Sequence, residues 1–422
     1  MITGAFEYKE DALIGMCGPD TNTTDPPSRD LSRTDVRPKA ETSLNRLYLT
    51  LGDFKMNRRT NRRCFELVFA LVLVLLAQAT MAQTWTSAGP LPRFDHSAVL
   101  DSITNRMITF GGSNSPNNSS QPKNFNDVWR LNGATLAWTR VNPNGTRPTG
   151  RNGHSAVYDP GSNRMVIFGG GLGFSSPCAN DVWVLKHANG DGGKPAWTQL
   201  NPGGGSPAPR LRHTAVYDST NNRMIVFGGN DCFSTNFGDV WVLSNANGLG
   251  GTPTWKQLNP SGSPGTAEDS TAVYDPGSNS MIVFGGTLGG SATNQVWVLS
   301  NANGLGGTPT WTQLSPSGTL PPGRNEPRAV YDANNNLMTI FGGNNATGAL
   351  GDVWVLSNAN GSGGTPTWTQ LGPFSFFAEA RTAHSAVYNP STNSMTIFGG
   401  ITETTTNGST NDVWVLSHAN GK

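Results

Sequence analysis

The sequence predicts an all-β molecule built from six copies of one four-stranded unit, and three observations predict it. The triplet Phe-Gly-Gly returns at Phe110, Phe168, Phe227, Phe284, Phe341 and Phe398, spaced 57 to 59 residues apart. Around each triplet the same short alternations recur ("HSAVYD", "NRMIVFGG", "DVWVL", "TWTQL"), each bounded by Gly, Pro, Asn or Asp, which is the signature of short strands. Composition agrees, because 52 glycines, 28 prolines and only 14 % charged residues favour turns and disfavour helices. Four strands per repeat and six repeats make a six-bladed β-propeller.

In chain order, residues 1–55 carry no repeat, mixed charge and little apolar periodicity, and read as a non-native or disordered extension. Residues 56–82 place four arginines before an apolar run, Phe65 to Ala77, and then the small-residue pattern Ala77-Gln78-Ala79. That order is the order of a secretory signal peptide, with Met56 as its natural start. The run has thirteen residues and contains Glu66, short of the ~18 needed for a membrane span. The expected protein is therefore secreted, extracellular or periplasmic, with no stable membrane span after cleavage.

Residues 83–422 hold the repeats. Trp129, Trp183, Trp241, Trp297, Trp354 and Trp414 fall on third strands, and Trp85, Trp138, Trp197, Trp255, Trp311 and Trp368 on fourth strands. Flat side chains at fixed offsets suit packing between blades. The last repeat ends at "DVWVLSHANGK" without a fourth strand, whereas residue 83 opens "QTWTSAGP", an orphan fourth strand. The strand of Trp85 is thus expected to complete the sixth blade and close the ring, removing a free sheet edge.

A double glycine followed at set distance by Asp-Val-Trp and then by Trp resembles the kelch-repeat family, and the resemblance covers all six repeats. It implies a six-bladed kelch-type β-propeller closed by an N-terminal fourth strand, each blade a meander with its first strand innermost at a central channel. In such a meander the 1–2 and 3–4 turns share one face. That face is uniform: "VWVLSNANGLGGTPTW" stands at Val240–Trp255 and again at Val296–Trp311, and Val353–Trp368 changes one residue of it. The 2–3 loops and 4–1 connections share the other face and vary in sequence, so binding is expected there.

Eight phenylalanines fall on the variable face: Phe94, Phe125, Phe174, Phe233, Phe237, Phe374, Phe376 and Phe377. The last three, in "GPFSFFAEAR", read either as packing or as a contact for a glycan ring or a protein. In the family an arginine at the start of each inner strand can line the channel mouth. The matching residues are Arg93, Arg151, Arg210, Arg324 and Arg381, with His96, His154, His213 and His384 three positions on. Blade 4 has Ala267 and Ser270 instead, around Glu268 and Asp269, and blade 5 has Pro327 between Glu326 and Arg328. A mouth basic along blades 6, 1, 2 and 3 and more acidic near blades 4 and 5 is expected, unless these residues simply tie blades together. The aspartates of the Asp-Val-Trp motif are expected to satisfy backbone N–H groups at a strand entry.

Cys178 and Cys232 occupy 2–3 loops of adjacent blades and can form a disulfide. Asn117, Asn118, Asn144, Asn345 and Asn407 lie in glycosylation sequons. The repeating histidines, one per blade, stand too far apart for bonds of ~2 Å to one ion, so no metal is expected. The fold also resembles the propeller of galactose-oxidase-like proteins, but the tyrosines after residue 82 fall in "AVYD" or "AVYN" at the opposite end of the inner strands from the histidines, so that copper site lacks its ligand set. No cofactor is expected. A net charge of +1 gives no argument for nucleic acid.

These readings leave three functions. The first is a monomeric secreted binding module that takes an extracellular glycan or protein on the variable face. The second is a small-molecule, sugar-type isomerase or other carbohydrate-active enzyme using Glu268, Asp269 and Glu326 at the channel mouth near blades 4 and 5. The third is a purely structural surface protein.

Overall fold

The computed structural model describes residues 89–422 except 115–122, 174–175, 289, 373–377 and 404–407. Every regular element among them is a β-strand. Blade 1 is the antiparallel meander Ser97–Asp101, Arg106–Phe110, Val128–Asn132 and Trp138–Val141, and blades 2 to 5 repeat it. Their inner strands are Ser155–Asp159, Thr214–Asp218, Thr271–Asp275 and Arg328–Asp332. Blade 6 shows an inner strand of ordinary length, Ser385–Asn389, and two longer ones, Ser394–Thr402 and Ser409–Ser417. Each inner strand neighbours the next, and that of blade 6 neighbours that of blade 1, so six blades close a ring around a channel. The expected closing strand at Trp85, the extension and the signal peptide lie outside the described residues.

The inner strand alternates as period two demands. In "SAVYD" the Ser, Val and Asp are buried, while Ala and Tyr are half-buried. The alanines line the upper part of the channel and the tyrosines its lower part. Second strands, sandwiched between neighbouring blades, are apolar on both faces, as in Met224, Ile225, Val226 and Phe227, all fully buried.

At five of the six junctions the described residues show a tryptophan–phenylalanine pair between blades. The outer-strand Trp of one blade meets the Phe-Gly-Gly phenylalanine of the blade before it: Trp197 on Phe110 (ring centroids 5.1 Å), Trp255 on Phe168 (5.0 Å), Trp311 on Phe227 (4.9 Å), Trp368 on Phe284 (5.2 Å) and Trp138 on Phe398 (4.7 Å). The glycines after the phenylalanine are required by space and dihedral together. Gly112 has φ +91, and a Cβ there would lie 2.8 Å from the Phe94 carbonyl and 2.7 Å from His96.

The uniform face is a second set of clamps. In each long 3–4 turn the Asn of its Ala-Asn-Gly donates to an Asp at the end of the previous blade's inner strand: Asn189 to Asp101 (2.6 Å), Asn247 to Asp159 (2.6 Å), Asn303 to Asp218 (2.7 Å), Asn360 to Asp275 (2.7 Å) and Asn420 to Asp332 (2.7 Å). Blade 1 lacks the long turn, and there blade 6 carries Asn389 in place of Asp and donates to Asn105 (2.9 Å). The sixteen repeated residues are inter-blade hardware.

Candidate binding site at the channel mouth

The predicted arginines do not line the channel. Arg93, Arg151, Arg210, Arg324 and Arg381 are buried to 1 % exposure or less. Each makes a bidentate pair with the Asp-Val-Trp aspartate of its own blade: Asp127 (2.8 and 3.0 Å), Asp181 (2.6 and 3.0 Å), Asp239 (2.7 and 2.9 Å), Asp352 (2.6 and 2.9 Å) and Asp412 (2.7 and 2.8 Å). The guanidinium also donates to the first glycine carbonyl of Phe-Gly-Gly, as Arg210 does to Gly228 at 2.9 Å. The aspartate accepts in addition from the tryptophan indole two residues on, as Asp239 does from Trp241 at 2.6 Å. Its partners are thus chiefly an arginine and a tryptophan, where backbone N–H groups were expected. The arginine hydrogen bonds hold the Asp127, Asp181, Asp239 and Asp352 carboxyls below the usual carboxylate range against the opposing effect of burial. In blade 4 Ala267 replaces the arginine and Gln295 the aspartate, so both partners are absent together, and Gln295 keeps only the tryptophan bond (2.9 Å).

Three of the four predicted histidines tie adjacent blades, and the buried ring of His384 has no hydrogen-bond partner among the described residues. His96 Nε2 meets Ser385 of blade 6, His154 meets Ser97 of blade 1, and His213 meets Ser155 of blade 2, each at 2.8 Å. Blade 5 has Arg328 where the others have this serine or a threonine, and Arg328 Nε donates to the His384 carbonyl at 2.7 Å. Burial first, and the neighbouring arginine charge second, depress the basicity of His96, His154 and His213, the last to about 3. They stay neutral near neutral pH. No three His, Cys, Asp or Glu converge on a metal position among the described residues.

Beside the predicted His96, His154 and His213, the cavity at the mouth is bordered by Asp95, Gly153, Arg212 and Asp269, members of one column of the repeat, the residue just before the histidine position, which continues as Glu326 and Ala383 in blades 5 and 6. All six adopt left-handed φ, between 52° and 61°. For a non-glycine residue this costs roughly 1–2 kcal/mol, and a ring of backbone bonds between blades holds it in place. Asp95 N donates to Ala383 O (2.9 Å), Gly153 N to Asp95 O (2.9 Å), Arg212 N to Gly153 O (2.8 Å), Asp269 N to Arg212 O (3.1 Å) and Glu326 N to Asp269 O (2.8 Å). The side chains of Asp95, Arg212 and Asp269, with Arg328, bound a cavity of about 200 Å³ at the head of the channel.

The charges in this ring are unequal in their partners. Arg212 reaches Asp269 at 3.3 Å and Glu326 at 3.9 Å. Glu326 also accepts from Thr382. Arg328 donates to the carbonyls of His384 and Pro327. Asp95 is 6 % exposed and makes no side-chain hydrogen bond or ion pair among the described residues. Burial first and Glu326 second push its carboxyl up to about 6, with Arg212 and Arg328 opposing. Burial and the same glutamate raise Asp269 well above its ordinary value.

Of the three carboxylates predicted together, Asp269 and Glu326 share Arg212, whereas Glu268 turns away to Asn230 and Asn236 in the 2–3 loop of blade 3. The expected basic arc is replaced by a ring in which Asp95 stands opposite the blade 4 and 5 acids. Sequence reasoning missed Asp95 and Arg212. The signal was present: this column reads Asp, Gly, Arg, Asp, Glu, Ala between neighbours that repeat.

Of the variable-face phenylalanines, Phe94 and Phe125 are buried, and Phe125 lies under the Arg93 guanidinium at 4.5 Å. Phe237 is half-buried under Arg210 at 4.3 Å. Phe233 is 71 % exposed, on a turn where the Asp231 carboxylate accepts three backbone N–H bonds. Next to it Cys232 forms a disulfide with Cys178 (Cα–Cα 5.5 Å). Phe174, Phe374, Phe376 and Phe377 lie outside the described residues.

Comparison with known proteins places these features in a wider set. Residues 44–195 and 190–372 match the KLHDC2/KLHL20/DRC7 Kelch-repeats domain. An F-box/kelch-repeat protein of Arabidopsis thaliana is 26 % identical over 348 residues, covering 75 % of this chain and 68 % of its own length. Host cell factor 2 of Homo sapiens is 28 % identical over 277 residues, 60 % of this chain. The host cell factor homolog hcf-1 of Caenorhabditis elegans is 32 % identical over 186 residues, 40 % of this chain. The matched regions span only 31 % and 23 % of those two proteins. Among solved structures, that of YjhT aligns with a TM-score of 0.56 at 14 % identity, covering 78 % of this chain and 96 % of the other, a likeness of fold alone.

Proposed function

The chain belongs to the kelch-repeat family, and from that premise we propose that it is a secreted binding module that takes a protein partner on the face surrounding the channel mouth. One observation carries the reading. The six repeats agree on the strands and on the uniform face, yet the column at the mouth holds Asp95, Gly153, Arg212, Asp269, Glu326 and Ala383, locked in strained backbone by inter-blade bonds. A scaffold kept uniform for stability and individual at one rim is built to present that rim. The exposed Phe233, on a loop fastened by the Cys178–Cys232 bridge, adds an apolar contact to the same face. Secretion is supported by the arginine-then-apolar order of residues 56–82 and by the disulfide.

The test is capture of extracellular proteins, beside a glycan array, by wild-type chain recovered from culture medium and by an Arg212→Glu, Phe233→Ser double variant. The expected result is a protein retained by the wild type and lost by the variant, from a chain whose N-terminus lies near Gln83. Retention unaffected by the variant would remove the mouth from the reading, and binding of a glycan alone would replace the partner class.

The isomerase reading keeps one observation in its favour: Asp269 and Glu326 share the Arg212 guanidinium, across the cavity from the buried Asp95 carboxyl. A sugar panel followed by NMR that shows no exchange above background, or exchange unchanged in Asp269→Asn, disposes of it.

A further inference from the structure

The channel mouth contains a buried carboxylate with nothing to bond. Asp95 is more than nine-tenths buried, borders the 200 Å³ cavity and has no side-chain hydrogen bond or ion pair among the described residues. Water or protein partners normally accompany such a group, because leaving a buried charge uncompensated is costly. Asp269 and Glu326 stand nearby, and a single guanidinium, Arg212, serves both. The other arginine at the mouth, Arg328, gives two of its five N–H donors to main-chain carbonyls. Asp95 therefore lacks a donor, and the three acids of the mouth, Asp95, Asp269 and Glu326, outnumber its two guanidiniums, Arg212 and Arg328.

A group that corrects both deficits carries positive charge and several N–H bonds, and is small enough for the cavity. An ammonium head has three donors on a compact cation. The alanines of the six inner strands, Ala98 among them, leave room beneath the acids. We propose that the mouth is a cation cup for a primary alkylammonium group, presented either by a lysine side chain of a protein partner or by a free amine. This deepens the reading of the same face as the binding face, and rests on it.

The experiment is titration of the purified full chain, without any partner, by calorimetry and NMR. The probes are Nα-acetyl-lysine amide, n-butylammonium and the uncharged Nα-acetyl-norleucine amide. The two ammonium compounds are expected to bind saturably and the norleucine compound not to bind. Asp95→Asn, which retains shape and tolerates left-handed φ, is expected to weaken binding at least tenfold while remaining folded. Glu268→Gln, whose carboxylate bonds outside the cup, is expected to leave affinity unchanged. Equal binding of norleucine overturns the proposal. So does an Asp95→Asn affinity within twofold of wild type, or an equal loss in Glu268→Gln. Tighter binding of the lysine compound than of butylammonium identifies a protein source; equal binding identifies a free amine. Because no partner is present, failure here leaves the macromolecular reading standing, and loss of macromolecular capture alone leaves the cup standing.

Discussion

Asp95 shows how one residue can serve a site at the expense of the fold. Its carboxyl is raised from 3.8 to about 6 by burial and by Glu326, against the attraction of Arg212 and Arg328. An acid whose folded pKa is raised binds its proton more tightly in the native state, so this group favours folding when protonated. Its penalty is absent below about pH 4, grows through pH 4 to 6, and is full above pH 6. Asp95→Asn is therefore expected to stabilise the protein at pH 7.5 by on the order of 2 kcal/mol, with no gain at pH 4. Thermal unfolding at both values checks this, and a pH-independent difference would show that the charge is not the cause. The opposite case is Arg210, whose charge is wholly enclosed yet matched by Asp239 and by the Gly228 carbonyl. Both residues were visible as charges in the sequence. The correlated loss in blade 4, Ala267 with Gln295, is the sequence sign that distinguishes a structural pair from a lining residue.

At the scale of the element, the 3–4 turn explains why sixteen residues recur. Asn247 accepts the Leu249 N–H and the Asn222 amide on Oδ1, and donates to Asp159 of the preceding blade through Nδ2. The turn thus braces its own blade and its neighbour with one side chain. Asn247→Asp keeps the first role and sets two carboxylates against each other in a buried position. It is expected to cost about 2–3 kcal/mol, and Asp159→Asn in the same chain is expected to restore most of that. A denaturant double-mutant cycle measures the coupling, and additive losses would refute the bond's importance. The replacement of Asp by Asn389 at the junction with blade 1 is the natural counterpart. The period-two pattern alone predicts that these segments are strands. It does not say that an identical turn reaches across a blade boundary, because that contact joins residues 88 apart in the chain.

At the scale of the whole molecule, closure of the ring is the decisive feature. Five of the Phe-Gly-Gly phenylalanines meet a tryptophan from the following blade. Phe341 meets His384; Trp85, which lies outside the described residues, is the tryptophan that the sequence repeat predicts for it, on the strand expected to complete blade 6. Trp85→Ala is expected to lower stability by about 3 kcal/mol, as removal of a large buried aromatic does. A change below about 0.5 kcal/mol, of the size found at exposed sites, would argue that Trp85 stays outside the blade. The sequence by itself determined the strands, the six-fold repeat, the kelch-type propeller and which face varies, because alternation, turn residues and a 57–59-residue period are local or periodic properties of a chain. Only the tertiary structure decided what the charged residues do. Whether an arginine lines a channel or vanishes against an aspartate 28 to 34 positions away depends on where two strands of one blade place their ends. Likewise, Asp95 and Asp269 border one cavity because a closed ring returns blade 1 to blade 6 and faces it across to blade 4, a proximity that no spacing in the sequence encodes.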